Sequence, residues 1–299
     1  MKLTRAIFIA SSGTVLSAAL VFTACKKDSN SGSSAAQETD AVTMSTSSAT
    51  ADDQYNDVLN VALQVGSGSN TTISSYTVQT STGSHKELAG PGGATPCAVI
   101  STTITDTTTY PVTISIDFGA GCTGSDGVVR KGKVTYLFSG RIYTPGATVS
   151  ATFDSYSVNG YQLAGTYSIA NNSTGSGISF ITKVVSGKIT FPDASYYSYA
   201  GTKTVTQSGG IGTLTVLDDS YSITGSHNFS SSAGKSLIDS ITTPLLWQTT
   251  CRHIGSGVIG FTYSDGAITL NGTLDYGSGT CDDQAAIKVG ATTKTVDLP

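Results

Sequence analysis

From Cys97 to the C-terminus, hydrophobic and polar residues alternate along most of the chain. Alternation of this kind places apolar side chains on one face of a β-strand and polar side chains on the other. Asn159-Gly160 stands between two such runs and predicts a tight hairpin in which Val158 pairs with Tyr161. The connections are short, which favours antiparallel pairing of consecutive strands and leaves little room for crossovers. The predicted strands cover residues 97–105, 111–118, 128–143, 147–158, 161–170, 178–191, 195–206, 211–217, 219–230, 235–246, 251–263, 267–276, 284–289 and 292–298.

The fold class that this pattern predicts is all-β. We expect one antiparallel meander of long strands over 97–299. It could form an open curled sheet, a barrel or a sandwich. One short N-terminal helix is predicted ahead of it, because apolar residues recur at helical spacing from Tyr55 to Leu63 and acidic residues precede them. We expect that helix to cover one end of the sheet, with partner binding as the alternative. The rest of 51–96 is a Gly/Ser-rich lead-in with a short strand near 73–79.

Two cysteine-bounded segments have the same organisation. In each, an alternating strand runs into Asp-aromatic-Gly-x-Gly, and the segment has turn-favouring residues near its midpoint. Folding each segment at that midpoint brings its cysteines together at the open end of a hairpin, as a disulfide requires. We therefore predict the pairs Cys97–Cys122 and Cys251–Cys281. The rival pairing joins Cys122 to Cys281, which occupy equivalent places in the repeat.

The N-terminal residues have the pattern of a targeting segment. Residues 1–24 combine an n-region containing Lys2 and Arg5 with a short apolar run, and Phe22-Thr-Ala-Cys25 resembles the lipobox of bacterial lipoproteins. We expect a signal peptide over 1–24 and lipid attachment at Cys25, which leaves an even set of four cysteines. An ordinary secretory signal with an incidental cysteine is the alternative. Residues 25–50 are Ser/Thr/Ala-rich and are predicted to be a flexible tether.

A longer resemblance begins at Cys97. Five runs carry it. They are the Asp117-Phe-Gly-x-Gly-Cys122 run with the Arg-Lys-Gly-Lys that follows, the Phe153-Asp154 run that ends in Asn159-Gly160, Phe191-Pro-Asp193, Cys251-Arg-His-Ile-x-Ser-Gly257, and Leu274-Asp-Tyr-Gly-x-Gly-Thr-Cys281. They resemble uncharacterised surface or periplasmic lipoproteins of Bacteroidota-type bacteria. The resemblance implies a lipid-anchored cell-envelope protein, at the periplasmic or surface face of the outer membrane, and it implies no chemistry.

Composition narrows the function classes. Charged residues make up 12% of the chain, against roughly 25% in average globular proteins, and the net charge is −4. Nucleic acid is therefore not an expected partner. The three histidines lack metal-ligand spacing and are expected on the surface or in turns, so no metal is expected. No Gly-x-Ser-x-Gly motif occurs, so a serine hydrolase is not supported. No other cofactor is expected. Asp117 and Asp275 are expected to cap turns, with a paired acid site or a Ca²⁺ site as alternatives.

Two groups of residues are candidate ligand contacts. Arg130 and Lys131 form part of a local basic patch, and Tyr196, Tyr197 and Tyr199 lie on one strand. Ordinary solvated strand positions are the competing interpretation for both groups. The chain is thus expected to be a lipid-anchored, non-catalytic structural or binding module. The alternatives are a glycan- or lipid-binding accessory protein of an uptake system and a hydrolase with a dispersed acid pair.

Overall fold

The computed structural model describes residues 35–66, 77–82, 85–89, 96–106, 109–213, 218–251, 253–266 and 268–298. Cys25 and the predicted signal peptide lie outside these residues. Residues 33–299 belong to one compact unit. Within the described part of the chain, no helix has both the length and the apolarity needed to span a bilayer.

One antiparallel sheet accounts for nearly all of the chain after the helix, which confirms the predicted all-β meander. Each strand pairs with the next in sequence, except that β4 pairs with β6 and the two-residue β5 lies beside β6. The order runs from β1 to β16 as an open sheet, the first of the three predicted forms. The strands are β1 Thr77–Thr82, β2 His85–Ala89, β3 Ala98–Asp106, β4 Thr109–Asp117, β5 Cys122–Thr123, β6 Val129–Phe138, β7 Thr148–Val158, β8 Tyr161–Asn171, β9 Ser179–Thr190, β10 Tyr196–Gly209, β11 Ser220–Ser231, β12 Ser236–Gln248, β13 Ile254–Ser264, β14 Thr269–Ser278, β15 Gln284–Val289 and β16 Thr292–Asp297.

Most predicted strands are present. Val158 pairs with Tyr161 across the predicted hairpin, where Asn159 and Gly160 both adopt positive φ. The strand predicted over 211–217 is wrong for residues 211–213, which form a turn, and residues 214–217 lie outside the described part. Of the short strand predicted near 73–79, residues 77–79 belong to β1 and residues 73–76 lie outside the described part; β2 was not predicted.

The helix differs most from the sequence prediction. Helix α1 spans Ala35–Gly66, so it is a long helix and not the predicted short one, and the tether predicted over 25–50 is wrong from Ala35 onward. Its first half is rich in Ser, Thr and Ala and has no wide apolar stripe, which is why periodicity missed it. Threonine hydroxyls of this half donate to carbonyls four residues earlier, so these hydroxyls are satisfied within the helix itself; the donors are Thr39, Thr43, Thr46 and Thr50.

The sheet curls around α1, so the helix does not cover one end of the sheet as predicted. Ala41, Ala51, Val58 and Val61 are fully buried, and buried residues occur on most sides of the helix. Hydrogen bonds fix it to distant parts of the sheet. Tyr136 of β6 donates to the Val58 carbonyl, and at the far edge the Thr292 amide donates to Glu38 at 3.1 Å. Small residues let the strands approach the helix closely, and tertiary packing stabilises a helix of weak intrinsic propensity.

Two disulfides close the segments that the sequence singled out. Cys97 is bonded to Cys122 with a Cα–Cα distance of 5.3 Å, and Cys251 to Cys281 at 5.7 Å. These are the local pairs that the hairpin argument predicts, and the structure does not join Cys122 to Cys281.

A candidate ligand cavity between helix and sheet

A cavity of about 380 Å³ lies between the C-terminal half of α1 and the ends of several strands. This volume is within the range of small-molecule binding sites, roughly 300–1,000 Å³. Polar helix side chains form one wall, and largely apolar sheet residues form the other. The two walls therefore differ in the kind of contact that they offer.

The helix wall is a polar stripe of Asp53, Asn56, Asp57 and Asn60. These positions are spaced i, i+3, i+4 and i+7, so they share one face of the helix. All four are partly exposed, whereas Val58 and Val61 are fully buried against the sheet. The stripe thus turns carboxylate and amide groups towards the cavity.

Gln54 also lines the cavity and is only 1% exposed. Its Nε2 donates to Asp53 Oδ2 at 3.1 Å, while its Oε1 is buried without a hydrogen-bond partner among the described residues. An unsatisfied buried acceptor costs about 1–3 kcal/mol. Gln54 is therefore held in the helix wall of the cavity at a cost in stability.

Trp247, the one tryptophan in the sequence, lies on the sheet side of the cavity with Val205, Ile223 and Ile254. Its ring stacks on Tyr221 with centroids 5.3 Å apart, and its Nε1 donates to the Cys251 carbonyl at 3.0 Å. Cys251 in turn is held by its disulfide to Cys281. The indole N–H is thus already used, and the tryptophan contributes apolar surface to a wall held in place by covalent and stacking contacts.

Arg130 holds the acidic side of the cavity together, and the sequence interpretation of it as part of a solvated basic patch is wrong. Its side chain is fully buried, because β6 turns alternate residues inward, and Lys131 next to it is exposed. The guanidinium donates from Nε to Asp57 Oδ2 at 2.9 Å and from Nη2 to Asp126 Oδ2 at 3.0 Å. It therefore links the helix wall to the turn before β6 and does not itself line the cavity.

The candidate tyrosines divide between the two faces of β10. Tyr196 is 45% exposed, with the Lys188 ammonium 4.1 Å from its ring centroid. Tyr197 is partly buried and stacks on Phe229. Tyr199 is buried, stacks on Tyr55 of the helix and donates to Asp52. The prediction that Tyr199 contacts a ligand is therefore wrong. None of the five candidate contacts, Arg130, Lys131, Tyr196, Tyr197 and Tyr199, lines the cavity.

A buried ion pair fixes the helix beside the cavity. Asp52 is 2% exposed and pairs with Lys203, which is 5% exposed. Burial acts to raise the pKa of Asp52, but the charges of Lys203 and His227, together with hydrogen bonds from Lys203 and Tyr199, outweigh it. The pKa of Asp52 therefore lies below its ordinary value.

One turn earlier, Ser48, His227 and Asp239 form a second buried cluster, which corrects the expectation that all three histidines lie on the surface or in turns. Ser48 Oγ lies 2.9 Å from His227 Nε2 and donates to Asp239 Oδ2 at 2.6 Å. Asp239 Oδ2 also lies 2.9 Å from the same Nε2, and Nδ1 has no partner among the described residues. A Ser-His-Asp relay needs serine and aspartate on opposite ring nitrogens. The cluster is therefore a helix-to-sheet contact and not a nucleophile.

Asp117 and Asp275 behave as the turn interpretation predicts. Each carboxylate accepts the backbone N–H two residues ahead, at 2.9 Å from Gly119 and from Gly277. Asp282, Asp126 and Asp193 make the same contact in their own turns. The described residues include no cluster of three or more His, Cys, Asp or Glu side chains placed to hold a metal ion.

Comparison with known proteins gives no guide to this site. No protein-family model, no curated protein and no solved structure matches the chain.

The sequence contained one signal for the cavity that motif searching did not use. The polar positions Asp53, Asn56, Asp57 and Asn60 repeat at helical spacing just as the apolar positions do. Together with the single Trp247 they form the two walls. No local sequence pattern, however, predicts that β12 packs opposite this stripe.

Proposed function

We propose that this protein is a lipid-anchored, non-catalytic binding module of the bacterial cell envelope, attached through Cys25, and that its ligand occupies the cavity between α1 and the sheet. The observation that carries the proposal is the composition of the cavity, with a polar helix wall facing Trp247 and aliphatic side chains. Small-ligand sites combine mostly apolar walls with a few placed polar groups in this way. The two disulfides support an extracytoplasmic location.

The polar wall favours a hydroxyl- or amine-bearing ligand over a lipid chain. Burying an acyl chain against Asp53, Asn56 and Asn60 would remove water from polar groups without replacing their hydrogen bonds. A sugar ring suits both walls, since its hydroxyls bond to carboxylates and amides and its apolar face packs on aromatic or aliphatic side chains.

The hydrolase alternative gains less support from the geometry. A dispersed acid pair needs one carboxyl that can donate a proton to the leaving group. Asp57 and Asp126, which line the cavity, both already accept hydrogen bonds from Arg130.

Intrinsic fluorescence provides the test, because the single tryptophan lines the cavity. The 33–299 unit, which keeps the whole helix, is titrated with a panel of mono- and oligosaccharides while Trp247 emission and thermal stability are recorded. Binding in the cavity should change emission and raise the melting temperature with ligand concentration.

The double variant Asn56→Ala/Asn60→Ala should then weaken binding by at least roughly tenfold, the effect of losing one or two ligand hydrogen bonds. The matched control is Thr39→Ala/Thr43→Ala, two exposed positions of the same helix away from the cavity. Equal effects of both double variants, or no response to any compound, would count against a binding function and favour a structural one.

A further inference from the structure

The length of chain between Cys25 and helix α1 limits how the protein can stand on a membrane that holds a lipid at Cys25. Ala35, the first residue of the helix, lies ten positions after Cys25. An extended chain spans at most about 3.3–3.6 Å per residue, so this connection reaches no further than about 35 Å. The helix has 32 residues and is about 48 Å long at a rise of about 1.5 Å per residue. The protein therefore cannot stand with the Gly66 end of the helix towards the bilayer.

Two turns of the sheet are fixed beside the start of the helix. Glu38 accepts hydrogen bonds from the Thr292 amide at 3.1 Å and from the Thr292 hydroxyl at 2.6 Å, beside the β15–β16 turn. Asp40 pairs with Lys235 in the β11–β12 turn at 2.6 Å. Both turns thus keep their place next to Ala35. The surface that they form with the adjoining strand ends is called here the anchor-proximal face, and it comprises residues 231–235 and 288–294.

The exposed charges of the β15–β16 hairpin are divided between its two ends. Lys288 and Lys294 flank the turn within the anchor-proximal face; both are exposed, and neither forms an ion pair with another described residue. Asp282, Asp283 and Asp297 are exposed at the other end of the hairpin, where β15 begins and β16 ends. The hairpin therefore presents its cations on the side of the helix start and its anions on the opposite side.

The acidic side chains nearest to the two lysines are already engaged by the protein. Glu38 is 7% exposed and holds Thr292, and Asp40 is paired with Lys235. Asp265, in the neighbouring β13–β14 turn, accepts a hydrogen bond from the Ile268 amide. Lys288 and Lys294 are thus the charges of the anchor-proximal face that are both exposed and unpaired. A lysine close to an anionic membrane surface is attracted to it over about one Debye length.

The candidate cavity lies far from this face along both of the elements that form its walls. Its helix wall begins at Asp53, 18 residues after Ala35, which is about 27 Å along the helix axis. On the sheet side, Trp247 follows Lys235 by 12 residues, which is about 40 Å of extended strand.

We propose that the anchor-proximal face docks on the headgroups of the bilayer that holds the Cys25 lipid, with a preference for anionic lipids. This orientation keeps the candidate cavity away from the bilayer. The inference rests on the proposed function in one respect, the lipid on Cys25, and does not depend on what the cavity binds.

The single tryptophan makes this orientation measurable. The lipidated protein is reconstituted on vesicles of phosphatidylcholine with or without phosphatidylglycerol, and energy transfer from tryptophan to a dansyl-labelled headgroup lipid is recorded. Trp247 should transfer weakly, because it lies far from the anchor-proximal face. In Trp247→Phe/Ala291→Trp the tryptophan moves to the exposed tip of the β15–β16 turn, and transfer should become several times more efficient.

The lysines are tested in the background with the relocated tryptophan. Phosphatidylglycerol should increase transfer, and Lys288→Gln/Lys294→Gln should lower the ratio of docked to undocked protein at least roughly tenfold. Raising the salt concentration should have the same effect as the substitutions. The matched control is Lys131→Gln/Lys183→Gln, which removes two exposed lysines of β6 and β9 and should change nothing.

Acetylation of lysines on the unsubstituted protein provides a second measurement that does not depend on the folding of any variant. Lys288 and Lys294 should be acetylated several times more slowly on phosphatidylglycerol vesicles than in detergent, whereas Lys131 and Lys183 should react equally in both. Equal protection of all four lysines would overturn the inference, as would transfer from Trp247 that equals that from the relocated tryptophan.

Mass spectrometry of the same preparation distinguishes the docking from the anchor on which it rests. A lipid on Cys25 together with either of those contrary results refutes the docking alone and leaves the lipid-anchored binding module standing. Absence of the lipid refutes the anchor, and the docking falls with it.

Discussion

The buried pair of Asp52 and Lys203 should be one of the strongest links between the helix and the sheet. The perturbation is Asp52→Asn, which keeps the size of the side chain but removes its charge. Lys203 is 5% exposed, so its ammonium would be left in the interior without a counter-charge, and the Tyr199 hydroxyl would lose its carboxylate acceptor. Breaking a buried ion pair from one side costs about 3–5 kcal/mol.

The same helix offers a matched control. Asp40 pairs with Lys235 at 2.6 Å, but the two side chains are 47% and 35% exposed. An exposed pair of this kind contributes about 0–1 kcal/mol. Urea denaturation of the 33–299 unit, followed by far-ultraviolet circular dichroism, should therefore give a loss several times larger for Asp52→Asn than for Asp40→Asn.

A pH series adds an independent check. The pKa of Asp52 is lower in the folded protein than its ordinary value of 3.8, so its contribution to stability is present above that value and is lost as the pH falls through the folded pKa. The deficit of Asp52→Asn should be complete near neutral pH and should shrink in strong acid. The double variant Asp52→Leu/Lys203→Met should recover most of the loss, because it leaves no unpaired charge. Equal losses for Asp52→Asn and Asp40→Asn at neutral pH would refute the assignment of a buried pair.

Three further predictions concern the scaffold and its anchor. Gly187→Ala should destabilise the protein by about 1–3 kcal/mol in urea denaturation, because the new Cβ would lie 2.5 Å from the Tyr199 carbonyl oxygen and 2.8 Å from the Tyr55 hydroxyl. Gly175→Ala is the control and should be neutral, since no atom lies within 4 Å of the Cβ that it would add. Replacing both Cys251 and Cys281 by serine should cost about 3–4 kcal/mol for a loop of 30 residues, and an unchanged denaturation midpoint would contradict that estimate. Mass spectrometry of protein extracted from membranes should find diacylglycerol on an N-terminal Cys25, whereas a soluble product with another N-terminus would exclude the lipoprotein interpretation.

The sheet was predictable because its rules are local. Alternation, the Asn159-Gly160 turn and the two cysteine-bounded segments each specify neighbours in the sequence, and a meander pairs strands in that same order. The failure at residues 211–213 is of the same local kind, since Gly210 and Gly212 adopt positive φ and continue a turn where alternation suggested a strand.

The helix was missed in part because its stability is not local. A helix that the sheet surrounds needs small residues where strands approach and buried polar groups where they find partners, and neither requirement produces an apolar stripe. Ser45 and Ser48, which look like linker residues in the sequence, are buried in the structure. Composition therefore suggested a tether at the very residues that the sheet encloses.

The cavity follows from this arrangement, and that is why motif searching could not find it. Packing a long helix inside an open sheet buries one helix face after another, and each polar side chain on those faces must meet a partner. Asp52 meets Lys203, Ser48 meets Asp239 and Asp57 meets Arg130. At Gln54 the sheet provides no donor for Oε1, and the same stretch of helix lines the cavity. His227 Nδ1 and the Tyr263 hydroxyl are also buried without partners among the described residues, so unsatisfied groups are not confined to the cavity and do not by themselves mark a ligand site.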